Sequence, residues 1–340
     1  MEHLTLENLG PLRCVAVTGG LGFVGRHLVT ALRRQGVGVR VLDLSDGPGR
    51  HATGVEYRQV DLRDPRAVAS AIEGVDVVFH LAGNASGTRS VHNPRFDFEA
   101  NAEATFTLAE ALLNTDAKRL VYMSSAMVYG RPQAAPIPEE HPLQPFVPYG
   151  ASKLSGEFAL RALHESRGLP VVIGRSFTIY GPGEDPRTAG GEVSQFLRWH
   201  LNGLPIRMTG DPDRKTRDFS HVSDVVSALL HLACRAADGD VVNIGTGREV
   251  SLRQLADVIG EATGRAATLL ADDTITDDTY RHIADISRLR SLGFQPAVDL
   301  PAGVADLARR LGANPELPSV DTVFRAEQEF TPTRMEVPTC

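Results

Sequence analysis

Residues 13–25 read RCVAVTGGLGFVG, a short β-rich run over 13–18 that ends in a glycine-dense turn. A helix-compatible stretch follows at 26–35, then a second apolar run at 37–42, closed by Asp43. A glycine motif alone is a weak signal, but the order strand, glycine turn, helix, strand, acid is a dinucleotide fingerprint. Each glycine has a task in it. Gly19 permits the tight turn, Gly22 lets the backbone approach a pyrophosphate, and Gly25 lets the helix close on the strand. Phe23 and Val24 complete the turn, and the N-terminus of the helix after it offers unpaired N–H groups and a positive dipole end that suit a phosphate. Asp43 lies 18 residues after Gly25. It can accept from both adenosine ribose hydroxyls, and its charge repels a 2′-phosphate, so NAD is expected rather than NADP.

The alternation continues outward. Strands are predicted at 55–61, ending in Asp61-Leu62, at 75–80, followed by Leu81-Ala82-Gly83, and at 118–123 and 169–175. Helices are predicted at 65–72 and at 94–114, the second containing Asn101. Strands alternating with helices argue an α/β fold with a parallel, doubly wound sheet. Beyond 175 the expected helices are 193–202, 222–233, 285–292, 302–311 and one through 263 capped by Ser251, with a short strand at 241–244. A charged loop at 208–219 carries Arg214, Lys215 and Arg217. The expected division is a dinucleotide domain over 1–175 with a return of 218–245. A smaller C-terminal substrate domain takes 176–217 and 246–312. Residues 1–11 read as a leader and 313–340 as a tail.

Composition is that of a soluble globular chain, 42% hydrophobic and 23% charged. A net charge of −7 argues against nucleic acid as a partner. No apolar run approaches a membrane span, and no signal peptide is visible at the N-terminus. Cys14, Cys234 and Cys340 are an odd, widely spaced set that suggests neither disulfides nor a metal site and fits a reducing cytoplasm.

Two further stretches carry chemistry. The first is Ser124-Ser125 after the apolar run 120–123, where a strand end would place a substrate-facing hydroxyl. The second is PYGASK at 148–153. Tyr149 and Lys153 are four apart, on one face of a helix. A positive charge beside a phenol favours the phenolate, so a lowered pKa and a role as base are expected. Lysine is scarce in this chain, with only Lys118, Lys153 and Lys215, so the spacing is less easily incidental.

Over 13–311 these residues closely resemble the extended short-chain dehydrogenase/reductases, specifically the NAD-dependent nucleotide-sugar epimerases and dehydratases. The marks are TGGLGFVG, Asp43, Asp61-Leu62, HLAG at 80–83, Asn101, SSAMVYG at 124–130, the Tyr149/Lys153 pair, RSFTIYGPG at 175–183, TRDFSHVSD at 216–224, NIGTG at 243–247 and ADISRLRSLGFQP at 284–296. The resemblance implies a Rossmann domain holding NAD and a second domain holding a nucleotide sugar. It implies that Tyr149 removes a sugar hydroxyl proton while NAD takes the hydride. Lys153 lowers the tyrosine pKa and holds the nicotinamide ribose. Ser125 holds the reacting oxygen, and Ser124 supports the cofactor side. Arg217 grips the diphosphate, with Arg281 in a similar part, and Ala126, Thr178 and Arg187 join the substrate set.

The reaction is argued from the residues beside Ser125. In this resemblance 4,6-dehydratases carry Asp-Glu there, and UDP-glucuronate decarboxylases carry a glutamate before the VYG. Here Ala126 and Met127 cannot transfer protons. Oxidation at C4, rotation of the 4-keto sugar and reduction from the other face remain, which is a 4-epimerase. Thr178 resembles the UDP-glucuronate 4-epimerase group and puts glucuronate/galacturonate ahead of glucose/galactose. Against it, that group's arginines near 88 and 185 are Thr88 and Asp185, with Arg89 and Arg187 nearby. The alternatives are a one-way NDP-sugar 4-ketoreductase or dehydrogenase, and a non-catalytic dinucleotide binder. A cytoplasmic homodimer, paired through the helices carrying Asn101 and Tyr149, is expected from the family.

Overall fold

The structure, a computed structural model, describes residues 9–10, 12–46, 52–187, 191–272 and 281–318. Seven strands form the central sheet: β1 (Val15–Thr18), β2 (Val39–Asp43), β3 (Val55–Gln59), β4 (Val77–His80), β5 (Arg119–Ser125), β6 (Val171–Ser176) and β7 (Val241–Ile244). Their order is β3-β2-β1-β4-β5-β6-β7, and every neighbouring pair is parallel. The order reverses direction between β1 and β4. Ligands of such sheets bind outside the strand C-termini at that switch point.

The longer helices are α1 (Phe23–Arg34), α2 (Pro65–Ala71), α3 (Ala104–Leu112), α4 (Pro148–Arg167), α5 (Glu192–Leu201), α6 (Val222–Arg235), α7 (Leu252–Thr263) and α8 (Leu300–Leu311). Side chains alternate across the sheet, as a pleated strand requires. Val15 and Val17 of β1 face a core shared with Leu28 and Leu32 of α1 and Leu229 and Leu232 of α6. Ala16 faces the opposite core, with Val68 of α2, Leu108 of α3 and Leu160 of α4. Burial on both faces is what a parallel sheet demands, and β1, β4 and β6 are buried throughout. A third core joins Phe196 and Trp199 of α5 to Leu255 and Ile259 of α7 and Leu307 of α8.

Three differences from the sequence expectation have physical reasons. The predicted helix 94–114 is broken. Pro94–Phe98 is α-helical, Glu99–Glu103 makes a π-helical turn, and α3 follows. π turns concentrate at functional sites, and this one carries Asn101. A short helix, Gly87–His92, was not anticipated; the Ser86 hydroxyl accepts from the Arg89 N–H and starts it. Three strand pairs were too short to show a period: Thr178–Tyr180 with Phe219–His221, Thr216–Arg217 with Val250–Ser251, and Ile206–Thr209 with Leu269–Asp272. Ser251 does cap α7, in a reciprocal box with Gln254. Residues 313–318 run beside α5, where Arg198 donates to the Glu316 carbonyl at 2.8 Å and Asn202 to the Pro315 carbonyl at 2.8 Å. The rest of the expected tail, 319–340, and most of the leader lie outside the described residues.

Candidate active site

The glycine turn closes against β4. Gly19 has φ +65°, and a Cβ there would lie 2.9 Å from the Ala82 backbone. A Cβ on Gly25 would lie 2.2 Å from the Gly19 carbonyl oxygen. Gly22 is the N-cap of α1, and no side chain caps that end, so Phe23 and Val24 begin a helix whose first N–H groups point outward unclaimed by a cap. Asp43 ends β2 and accepts from the Leu21 N–H at 3.1 Å and the Ser45 N–H at 3.2 Å. Asp61 is turned to Arg63, which forks onto both carboxylate oxygens and holds its pKa below the ordinary value. Leu62 is buried in the α2–α3 core.

The loop after β4 is tied back to β1. The Thr18 hydroxyl accepts from the Leu81 and Ala82 N–H groups, both at 3.1 Å, and meets His80 Nδ1 at 2.7 Å. His80 Nε2 reaches Thr105 at 2.9 Å. Burial, with the Lys153 charge adding, lowers the His80 pKa to about 3. Gly83 adopts φ +142°, and a Cβ there would strike Asn101 Oδ1 at 2.2 Å. Among the described residues that oxygen is buried with no partner.

Ser124 and Ser125 end β5, and Tyr149 and Lys153 sit in the first turns of α4. The Ser125 hydroxyl, which accepts from the Met127 N–H at 3.2 Å, is near enough to the Tyr149 phenol to favour its ionised form. Lys153 Nζ donates to the Met123 carbonyl at 3.1 Å and lies 5.1 Å from the centre of the Tyr122 ring. The expected lowering of the Tyr149 pKa is reversed here. Burial pushes the phenol up, the Ser125 hydroxyl opposes that, and Asp97's charge adds to it. Burial also lowers Lys153 to about 8, against the pull of Asp97 and Glu157.

In the second part of the chain, the Arg217 guanidinium donates to Glu192 at 2.9 Å and to the Thr216 carbonyl at 3.0 Å. Arg281, with φ +53°, forks onto Glu249 at 2.9 and 3.1 Å. Thr216 donates to the same Glu249 at 2.9 Å, so both arginines belong to one corner. Asp213, Arg214, Thr216, Glu249 and Arg281 line a cavity of about 270 Å³ there. Thr178 is half-buried in its short strand, opposite Phe219, and Ala126 is buried. Arg187 is not drawn into this corner; it forks onto Asp185 at 2.9 and 3.0 Å in an exposed loop. Arg89 stacks over the Phe96 ring at 4.1 Å.

A family model described as "NAD dependent epimerase/dehydratase family" matches residues 15–245. The chain belongs to that family. The UDP-glucose 4-epimerase of Mycolicibacterium smegmatis is 35% identical over 299 residues, covering 85% of this chain and 95% of that protein. The UDP-glucose 4-epimerase of Thermus thermophilus, solved in complex with NAD, superposes with a TM-score of 0.79 at 32% identity, covering 87% of this chain and 98% of that one. MoeE5, solved with UDP-glucuronic acid and NAD, superposes with a TM-score of 0.78 at 33% identity, covering 87% of this chain and 98% of that one.

Membership of this NAD-dependent epimerase/dehydratase family makes NAD the cofactor, and the residues fit it. The uncapped α1 N-terminus, the Cβ-free approach at Gly22 and the partnerless Asn101 Oδ1 are the features a dinucleotide crossing the switch point needs. One residue of this site escaped the sequence reading. His282 forms a backbone bridge with Arg217, lies beside the Ala126 main chain, and packs 5.0 Å from the Phe177 ring. Among the described residues its Nε2 is buried without a partner, and burial with the Arg217 and His141 charges lowers its pKa to about 3. A lone histidine beside Arg281 carries no spacing signal.

Proposed function

We propose that the protein is a UDP-sugar 4-epimerase in which Tyr149 is the base. The observation that carries this is the placing of the Ser125 hydroxyl at the end of β5 beside the Tyr149 phenol in the first turn of α4, with Ala126 and Met127 next to the serine. Two hydroxyls converge on one oxygen of the sugar, and neither neighbour can move a proton for elimination. Ser125 Oγ holds sugar O4, Tyr149 Oη takes its proton and later returns it, and the Lys153 ammonium supports the phenolate. When bound, NAD supplies the hydride acceptor and donor for C4 and a cationic ring that favours that phenolate. Asp43 holds the adenosine ribose, and Gly22, Phe23, Val24 and Gly25 the pyrophosphate. Leu81, Ala82, Gly83 and Asn101 line the nicotinamide side. Arg217 and Arg281 take the substrate diphosphate, a use suited to a planar donor fork.

The place of Arg187 on Asp185, in an exposed loop outside the Arg217/Arg281 corner, supports a neutral hexose, UDP-glucose/galactose. The Thr178 context and the likeness to MoeE5 support UDP-glucuronate/galacturonate as the second reading. The exposed Phe98, Phe106 and Phe158 lie on Pro94–Phe98, α3 and α4, which pack together, and we assign that face to a homodimer. Among the described residues no helix is long and apolar enough to cross a membrane.

Incubating the purified protein with a panel of UDP- and dTDP-sugars and reading the products by NMR tests the proposal. C4-inverted product is expected without net change in reduced-nicotinamide absorbance. Stoichiometric consumption or release of reduced cofactor would instead identify a ketoreductase or dehydrogenase.

A further inference from the structure

Asp97 is 0% exposed, yet among the described residues no cation pairs with it. A carboxylate taken out of water without a counter-ion is costly unless donors replace the water. Three do so. Asn84 Nδ2 donates to Oδ1 at 2.7 Å, Asn101 Nδ2 to Oδ1 at 3.1 Å, and Ser152 Oγ to Oδ2 at 2.6 Å.

Two of these donors, Asn101 and Ser152, lead to the active site. Asn101 gives its other N–H to Ser152 Oγ at 3.0 Å. With both donors committed, its Oδ1 is left as an acceptor facing Gly83. Ser152 Oγ also lies 3.0 Å from the Tyr149 carbonyl, in the turn that carries the phenol. Ser152 directly precedes Lys153. We propose that Asp97 is a positioning residue for the Tyr149/Lys153 pair, a buried anion that seats Asn101 and the first turn of α4 and sets the electrostatic environment of both groups. The inference rests on the reading of Tyr149 and Lys153 as the catalytic pair.

The other charged neighbours do not duplicate this role. Glu157, on α4, is committed to Arg175 at 2.7 Å. His80, on β4, is kept neutral by burial. Tyr122, on β5, has its ionisation pushed up by burial. Asp97's charge raises the pKa of Tyr149 and of Lys153 alike. Removing it therefore moves both ionisations toward acid.

Asp97→Asn removes the charge and keeps the shape. Its oxygen can still accept from Asn84 and Asn101, and its amide can donate to Ser152, whose hydroxyl can reverse. The test is an ultraviolet tyrosinate titration of the NAD-loaded protein, taken as the difference from Tyr149→Phe so that only this phenol is read. In Asp97→Asn the Tyr149 midpoint is expected to fall by about one pH unit or more. Ser152→Ala, which loses the hydroxyl and keeps the anion, is expected to leave it in place. An unmoved midpoint in folded Asp97→Asn, or the same shift in Ser152→Ala, overturns the proposal. If Asp97→Asn does not fold, carboxyl-carbon NMR of the wild-type protein decides: an ionised Asp97 at neutral pH supports the proposal, a protonated one overturns it. No substrate is involved, so failure to epimerise any sugar would sink the functional reading while leaving this test decided.

Discussion

Arg175 and Glu157 form a forked ion pair, at 2.7 and 3.0 Å, in which the side chains are 2% and 0% exposed. The pair ties β6 to α4 directly beneath the serines, because Glu157 also accepts from the Ser124 hydroxyl. The other arm of Arg175 reaches the Tyr129 hydroxyl at 3.1 Å and the Glu139 carbonyl at 3.0 Å. Removing one partner leaves a buried charge uncompensated. Glu157→Gln and Arg175→Met are each expected to cost about 3–5 kcal/mol of stability in urea unfolding. The double variant Glu157→Gln/Arg175→Met is expected to cost less than the sum of the single losses.

Gly25 faces backbone that cannot yield. A Cβ there meets the Gly19 carbonyl oxygen at 2.2 Å and Gly20 Cα at 2.7 Å. Gly25→Ala is expected to cost about 1–3 kcal/mol and to strip copurifying NAD, read by absorbance of the acid-released cofactor. Gly87→Ala, with nothing within 4 Å of its Cβ, is the control and is expected to retain NAD.

Asp43 presents a carboxylate anchored by two backbone N–H groups. Asp43→Asn keeps the anchoring acceptor and removes the repulsion of a 2′-phosphate. Preference for NAD over NADP is expected to fall about tenfold or more, measured by reconstitution of the apoprotein with each cofactor.

Lys153 sets an alkaline limit. Its pKa is lowered from 10.5 to about 8, so it carries its charge below that pH and loses it above. Activity is therefore expected to decline as pH rises through about 8. The effect on stability has the opposite sign. Between about 8 and 10.5 the unfolded chain binds the extra proton, so this group's destabilisation, about 3 kcal/mol at lower pH, is relieved as pH rises. Lys153→Met is expected to be inactive and more stable than wild type at neutral pH, by denaturant unfolding.

The sheet and the cofactor turn were legible because they rest on local signals. Gly19 and Gly25 sit where only glycine fits, and the apolar runs that became β1, β4 and β6 are buried on both faces as parallel strands must be. Spacing put Tyr149 and Lys153 on one helix and the apolar run 120–123 put Ser125 at a strand end, and those are the elements in which they lie. What escaped depends on distance in sequence. His282 reaches Ala126 across 156 residues and Asp97 reaches Ser152 across 55, and neither leaves a local pattern. The Tyr149 pKa direction was missed for a related reason. Helical spacing puts Lys153 on the same face, but its ammonium is drawn to the Met123 carbonyl and burial dominates the phenol. The π turn at Asn101 overrode a continuous helical pattern.

The most direct test is turnover of a UDP-sugar deuterated at C4 by the NAD-loaded wild type and by Tyr149→Phe. The wild type is expected to invert C4 with the deuterium retained in the product. Tyr149→Phe is expected to keep its fold and its NAD while losing about 10²–10⁴-fold in rate. Unchanged turnover in Tyr149→Phe, or loss of the C4 deuterium to solvent during inversion, would contradict the account.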